Sequence, residues 1–323
     1  MSRKADNLDP QLQEVEAIRD ARTVPESHAV TPETAREQIE AVSAGMSDRI
    51  DAAVAEVQEF DIEGPDGALP VRAYVPEGEA PHPVVVFFHG GGFVYGSVDT
   101  HDNVCRALAD RAEALVLSVD YRLAPEHSFP AALHDAYAAV EWASEFAGDI
   151  SGDPDRLAVA GDSAGGNLAA GVCLLARDRA AGRARGTPGT APTIDHQVLV
   201  YPWLDPAARF DYESYALRED ERSSEWLFEK YASDPLDAGN AYFAPILASD
   251  FSDLPPATIQ TAGFDPLRDE GFAYADRLES AGVDVSHVNY EAMNHAFVNL
   301  LGIVDRAHDA IDHAATDLAA SFE

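Results

Sequence analysis

Six short apolar runs alternating with helical stretches restrict the fold of this chain more than any other feature. They are PVVVFFH (83 to 89), ALVLSVDY (114 to 121), RLAVAGD (156 to 162), DHQVLVYP (195 to 202), PATIQTAGF (256 to 264) and VSHVNYEA (285 to 292). Strands this continuously apolar are buried on both faces, and helical patterns between them, such as DNVCRALADRAE and FPAALHDAYAAVEWASEFA, supply the crossovers of a parallel sheet. Upstream, VQEFDIEG and LPVRAYVP flank the turn residues GPDGA and predict an antiparallel hairpin. The pattern is that of a single α/β domain over 1 to 323.

Two segments break the rhythm. Residues 1 to about 50 are helical and polar, with a start signal at Thr31, Pro32 and Glu33, and residues 205 to 245 are aromatic and charged without a strand pattern. We expect the first as an accessory layer and the second as a lid. ARDRAAGRARGTPGTAP (176 to 192) reads as an exposed loop. The N-terminus lacks an apolar leader and no window approaches eighteen apolar residues, so neither secretion nor membrane insertion is expected. Cys105 and Cys173 lie inside apolar helical patterns, which suits buried free thiols and a reducing cytoplasm.

Charge narrows the partners. The chain carries 57 acidic and 22 basic residues, a formal charge of −35, and only two lysines, Lys4 and Lys230. No basic stripe exists to neutralise phosphates, which excludes a nucleic-acid partner. The acids are spread along the whole length, so they are expected to coat the folded surface, as in proteins of a high-salt cytoplasm; an ordinary acidic protein is the alternative.

In open α/β sheets, ligands gather at the carboxyl ends of the strands. There the chain places HGGGFVYGS (89 to 97), GDSAGGN (161 to 167), FDPLRDEG (264 to 271) and MNHAF (293 to 297). GDSAGG fits G-x-S-x-G with Ser163 on a strained strand-to-helix turn, where small neighbours let strand and helix approach. A serine hydroxyl needs a base and a group that orients the base. His295, after the last strand, is the candidate base, with His89 its main rival; His308 and His313 are read as surface residues. Asp265 is the candidate acid, ahead of Asp269 and Glu270, which fall a turn later in the next helix. Backbone N–H groups of Gly91, Gly92 and Ala164 are placed to receive an oxyanion.

Together HGGGFVYGS, DYRLAPEHSFPAAL (120 to 133), GDSAGGNLAA, DPLRDEG and YEAMNHAF cover roughly residues 55 to 300. With these motifs the chain resembles the hormone-sensitive-lipase-like carboxylesterases of the α/β-hydrolase fold. That resemblance implies a mostly parallel eight-stranded sheet with helices on both faces and a helical cap from about 1 to 50 and 205 to 245. It also implies hydrolysis of short to medium acyl esters without a cofactor or metal, and a homodimer. Ala292 and Ala296 stand where the family usually has glycine.

Other residues keep a double reading. Phe93 and Tyr95 either line an acyl pocket or pack on the sheet. Asp120, Tyr121, Arg122 and Glu126 are read as an ion pair or loop brace, and Asp162 has no assigned chemistry. An amidase or deacetylase with the same triad competes with the esterase, and a non-catalytic small-ligand receptor of the same fold is the reading from another class. An interfacial lipase is disfavoured, because no exposed apolar lid helix is evident.

Overall fold

The structure, a computed structural model, describes residues 3–21, 25–44, 52–184, 191–218 and 221–323. Eight strands form one sheet in the order β1 (Val54–Gly64), β2 (Gly67–Pro76), β4 (Leu115–Val119), β3 (His82–Phe88), β5 (Gly152–Asp162), β6 (His196–Val200), β7 (Ala257–Phe264) and β8 (Val285–Asn294). The β1–β2 hairpin is antiparallel, β2 meets β4 antiparallel, and every pairing from β4 to β8 is parallel. Gly64 pairs with Gly67, so the hairpin turns at Pro65 and Asp66, and Gly67 takes the positive φ of 124° that the turn needs.

Alternation along β3 shows why the sheet is covered twice: Val84, Val86 and Phe88 join one buried cluster, Val85 and Phe87 the other. The first cluster takes in α4 (Ala131–Phe146), α5 (Ala164–Ala180) and α7 (Arg268–Ser280). The second takes in α3 (Asp102–Ala112) and α8 (Asp305–Ser321). Both cysteines are buried and free, Cys105 on α3 and Cys173 on α5. Among the described residues no helix is long and apolar enough to cross a membrane.

The two off-rhythm segments are helical. The first holds α1 (Pro10–Ala21) and α2 (Pro32–Ser43), the latter capped by Thr31, whose hydroxyl accepts the Thr34 N–H at 3.3 Å. The second holds α6 (Glu221–Tyr231) and short turns such as Glu213–Leu217. They meet where His28 lies 3.1 Å from Ser223. One expectation is corrected: Ala176–Ala180 are the last turn of α5, because no breaker intervenes before Gly182, which takes a φ of 68°. Residues 185–190 of that stretch lie outside the described residues.

Candidate active site

Ser163 sits between β5 and α5 at φ 53° and ψ −114°, a region costly for any residue with a side chain. Its backbone is clamped from both sides. The Ser163 N–H donates to the Val200 carbonyl, and the Trp203 N–H donates to the Ser163 carbonyl, each at 2.9 Å. A Cβ on Gly165 would run into the Phe88 carbonyl, so the helix can start this close to β3 only with glycine there. This is the structural reason for the small residues around the serine.

The ends of β5, β7 and β8 bring Ser163, Asp265 and His295 together. His295 Nε2 lies 2.9 Å from Ser163 Oγ, and His295 Nδ1 lies 2.8 Å from Asp265 Oδ2. Asp265 is fully buried, and its second oxygen accepts the Leu267 N–H at 2.8 Å. Burial works against a charged imidazole at His295. Asp265, through its charge and its hydrogen bond, and then Asp162 outweigh it, with a smaller push from Glu270 when that group is ionised, and the His295 pKa is held above its ordinary value. The ring edge of Tyr201 packs against it at 4.9 Å, and Asn294 beside it donates to Glu16 of α1 at 2.8 Å.

Gly91 and Gly92 both take positive φ, 123° and 58°, and the N–H groups of Val94 and Tyr95 fold back onto the Gly91 carbonyl at 3.1 and 3.0 Å. Ala164 opens α5, where the first amides lack intrahelical partners. The cradle is held from behind by Asp162. This buried carboxylate accepts the Gly90 N–H at 2.7 Å and lies 3.1 Å from His101 Nε2. Burial would raise the Asp162 pKa, but His101 and the Gly90 amide reverse the sign and hold it low. The charged residue of GDSAGG thus acts on the neighbouring glycine loop, a role the sequence left open.

His89 braces the same loop. Its Nδ1 donates to the Gly90 carbonyl at 2.8 Å, its ring stacks on Tyr121 at 4.2 Å, and burial first, with His101, pushes its pKa down to about 3. Tyr121 donates to the His89 carbonyl at 2.8 Å, and Arg122 pairs with buried Asp135 at 2.8 Å. Glu126 receives Arg36 of α2, whose guanidinium also reaches the carbonyls of Val94 at 2.8 Å and Ala124 at 2.9 Å. His308 and His313 are half-buried on α8, away from the site.

Phe93 is fully buried, stacked 3.6 Å from Tyr231 and 5.9 Å from Trp203, so its ring serves as packing under the second helical segment. Tyr95 is half-buried, with Ser27 of the first segment close to its hydroxyl. Sequence reasoning missed Leu227: its methyls lie 2.7 Å from where a Cβ on Gly92 would stand. Only the helical spacing of Ser223, Leu227 and Tyr231, which places them on one face, hinted at this.

The arrangement is a hydroxyl joined through an imidazole to a buried carboxylate, with the positive-φ glycine turn at the end of the neighbouring strand β3. The model of the alpha/beta hydrolase fold family matches residues 85–299. The chain is 45% identical over 250 residues to the carboxylic ester hydrolase LipN of Mycobacterium tuberculosis, a match that spans 76% of this chain and 65% of that protein. To the ethyl acetate hydrolase of Pseudomonas putida it is 38% identical over 311 residues, 93% of each chain. A solved hyperthermophilic esterase from the archaeon Pyrobaculum calidifontis superposes with a TM-score of 0.90 at 38% identity, over 97% of this chain and 98% of that one.

Proposed function

The chain belongs to the alpha/beta hydrolase family, and from that premise we propose that it is a serine carboxylesterase of the hormone-sensitive-lipase-like type, acting through an acyl-enzyme. The observation that carries the reading is the unbroken relay from Ser163 Oγ through His295 to Asp265, at 2.9 and 2.8 Å. His295 takes the serine proton as Oγ attacks the ester carbonyl. Asp265 holds the imidazole in the right tautomer and stabilises its cation. The amides of Gly91, Gly92 and Ala164 receive the oxyanion, the alcohol leaves with the proton from His295, and water activated by the same imidazole releases the acid.

The two helical segments form the cap. Leu227 rests against Gly92, so the roof over the cradle is low, and this supports short to medium acyl groups as substrates. Ser163→Ala tests the assignment: turnover of p-nitrophenyl butyrate should fall by ~10⁴-fold or more while the melting temperature stays within a few degrees. Full turnover by that variant would refute it.

The surface charge supports adaptation to salt. With a net charge of −35, self-repulsion opposes the compact state, and molar salt shortens the screening length to about 3 Å. Melting temperature and activity should both rise between dilute buffer and molar KCl. Equal values in the two media would remove the salt adaptation and leave the esterase reading intact.

A further inference from the structure

We propose that Glu270 is a positioning residue that joins the root of the cap insertion to the loop bearing the catalytic acid, and so sets both cap closure and the placement of Asp265. The inference rests on the esterase reading above. Glu270 lies in the first turn of α7, five residues after Asp265, and is fully buried. Its Oε2 accepts the N–H groups of Leu204 at 2.6 Å and Asp205 at 2.8 Å, the residues where the chain leaves β6 and enters the insertion. Its Oε1 accepts the Tyr215 hydroxyl at 2.7 Å, from the turn Glu213–Leu217.

The position explains the need for a carboxyl group here. The backbone of 203 to 205 is the same stretch whose Trp203 amide clamps Ser163, so one side chain ties the nucleophile turn, the acid loop and the cap together. Around it the stitching continues: the Ser214 N–H donates to Asp269 at 2.9 Å, and the Ser214 hydroxyl donates to the Pro266 carbonyl at 2.7 Å. A helix-dipole role would need no burial and no partners on the insertion.

The titratable groups that feel Glu270 are Asp205, Tyr212 and Tyr215 on the insertion and His295 on the loop after β8. Desolvation dominates at Glu270 and pushes it up to about 8, against the three hydrogen bonds that favour its ionised form. The folded protein therefore holds a proton that the unfolded chain loses near 4.5, so this group's contribution to stability is present below that pH and is lost as pH climbs to about 8. Once ionised, Glu270 favours the imidazolium form of His295, so the rising limb of activity is completed at higher pH than His295 and Asp265 alone would set.

Glu270→Gln keeps an oxygen for the two amides and removes the charge; Tyr215→Phe removes the hydroxyl that ties the insertion to Glu270 and, at 3.5 Å, to Asp205. The test measures kcat and KM for p-nitrophenyl butyrate from pH 5 to 9.5 in the wild type and both variants, with thermal melts. In Glu270→Gln the rising limb should complete at lower pH, with the plateau kcat reduced ~10-fold by misplacement of the acid loop. In Tyr215→Phe, KM should rise roughly 3-fold or more with kcat within about twofold, and the limb should move in the same direction as in Glu270→Gln but less, because the hydroxyl bond that is lost favours ionised Glu270. A Glu270→Gln protein whose limb and kcat coincide with the wild type, or a Tyr215→Phe protein with unchanged KM, overturns the proposal. Either result leaves the Ser163→Ala outcome, and hence the esterase reading, untouched.

Discussion

Four strand-end loops around Ser163 each hold a non-glycine residue at positive φ: Phe93 after β3, Ser163 after β5, Tyr201 after β6 and Ala296 after β8. In the two helical segments of the cap, among the described residues, only Ala208 does. The loops after β3, β5 and β6 can carry this strain because those strands are buried at their ends and paired on both sides. The cap reaches the sheet side through side-chain contacts such as Arg36 on Glu126 and two carbonyls, Tyr231 stacked on Phe93, and Tyr215 on Glu270. Chemistry is therefore expected to fail when the sheet side is changed, and substrate affinity when the cap is changed.

The largest effect should come from Asp265→Asn. The amide cannot hold the Nδ1–H tautomer of His295 in place, and kcat should drop by about 10⁴-fold with the fold intact. Asp265 also helps to hold the His295 pKa up, so the residual rising limb should move to lower pH, as a pH–rate profile would show. A loss confined to KM would break the division between the two regions.

Gly92→Ala comes next because it touches both. The new Cβ would stand 2.7 Å from the Leu227 methyls, on a residue already at φ 58°. A fall in kcat of about 10²-fold is expected, the scale of a lost oxyanion donor. The double variant with Leu227→Ala separates the causes. Recovery of most of the activity would assign the loss to collision with the cap, and no recovery to strain in the cradle.

The two regions also differ in how far the sequence discloses them. Ser163, Asp265 and His295 could be named because each follows an apolar strand and carries a residue type with few other uses in that place. Strands β3 to β7 were legible because burial on both faces leaves a continuous apolar run, and the β1–β2 hairpin was legible from the turn residues between its strands. The partners of Asp162 and Glu270 were not legible, because a buried carboxylate is written with the same letter as a solvated one. The amide donors to these carboxylates lie 72 residues away for Asp162 and about 65 for Glu270. The end of α5 was misread for a related reason: ARDRA is polar because it emerges from the core, and polarity without a breaker does not end a helix.

Arg36→Leu tests the cap side alone. It removes the hydrogen bonds to the carbonyls of Val94 and Ala124 and the pair with Glu126, whose carboxyl these contacts hold down at about 2. Looser closure should raise KM roughly 5-fold and lower the melting temperature by a few degrees, with kcat little changed. A fall in kcat with KM intact would mean that α2 orders the cradle itself.

The smallest effect is expected at Ala296, and it probes whether strain on the sheet side has a function. Its φ of 64° and ψ of 17° are ones that glycine adopts freely, and it directly follows His295. Ala296→Gly relieves a steric cost of ~1 kcal/mol and gives back a similar amount through the greater freedom of the unfolded chain. The melting temperature should therefore shift by no more than about 2 °C, and kcat should stay within twofold, because Asp265 and Tyr201 already fix the imidazole. A 10-fold loss of kcat at unchanged stability would show that the strained alanine itself aims His295. The contrast with the relaxed cap would then be part of the mechanism and not merely tolerated by the sheet.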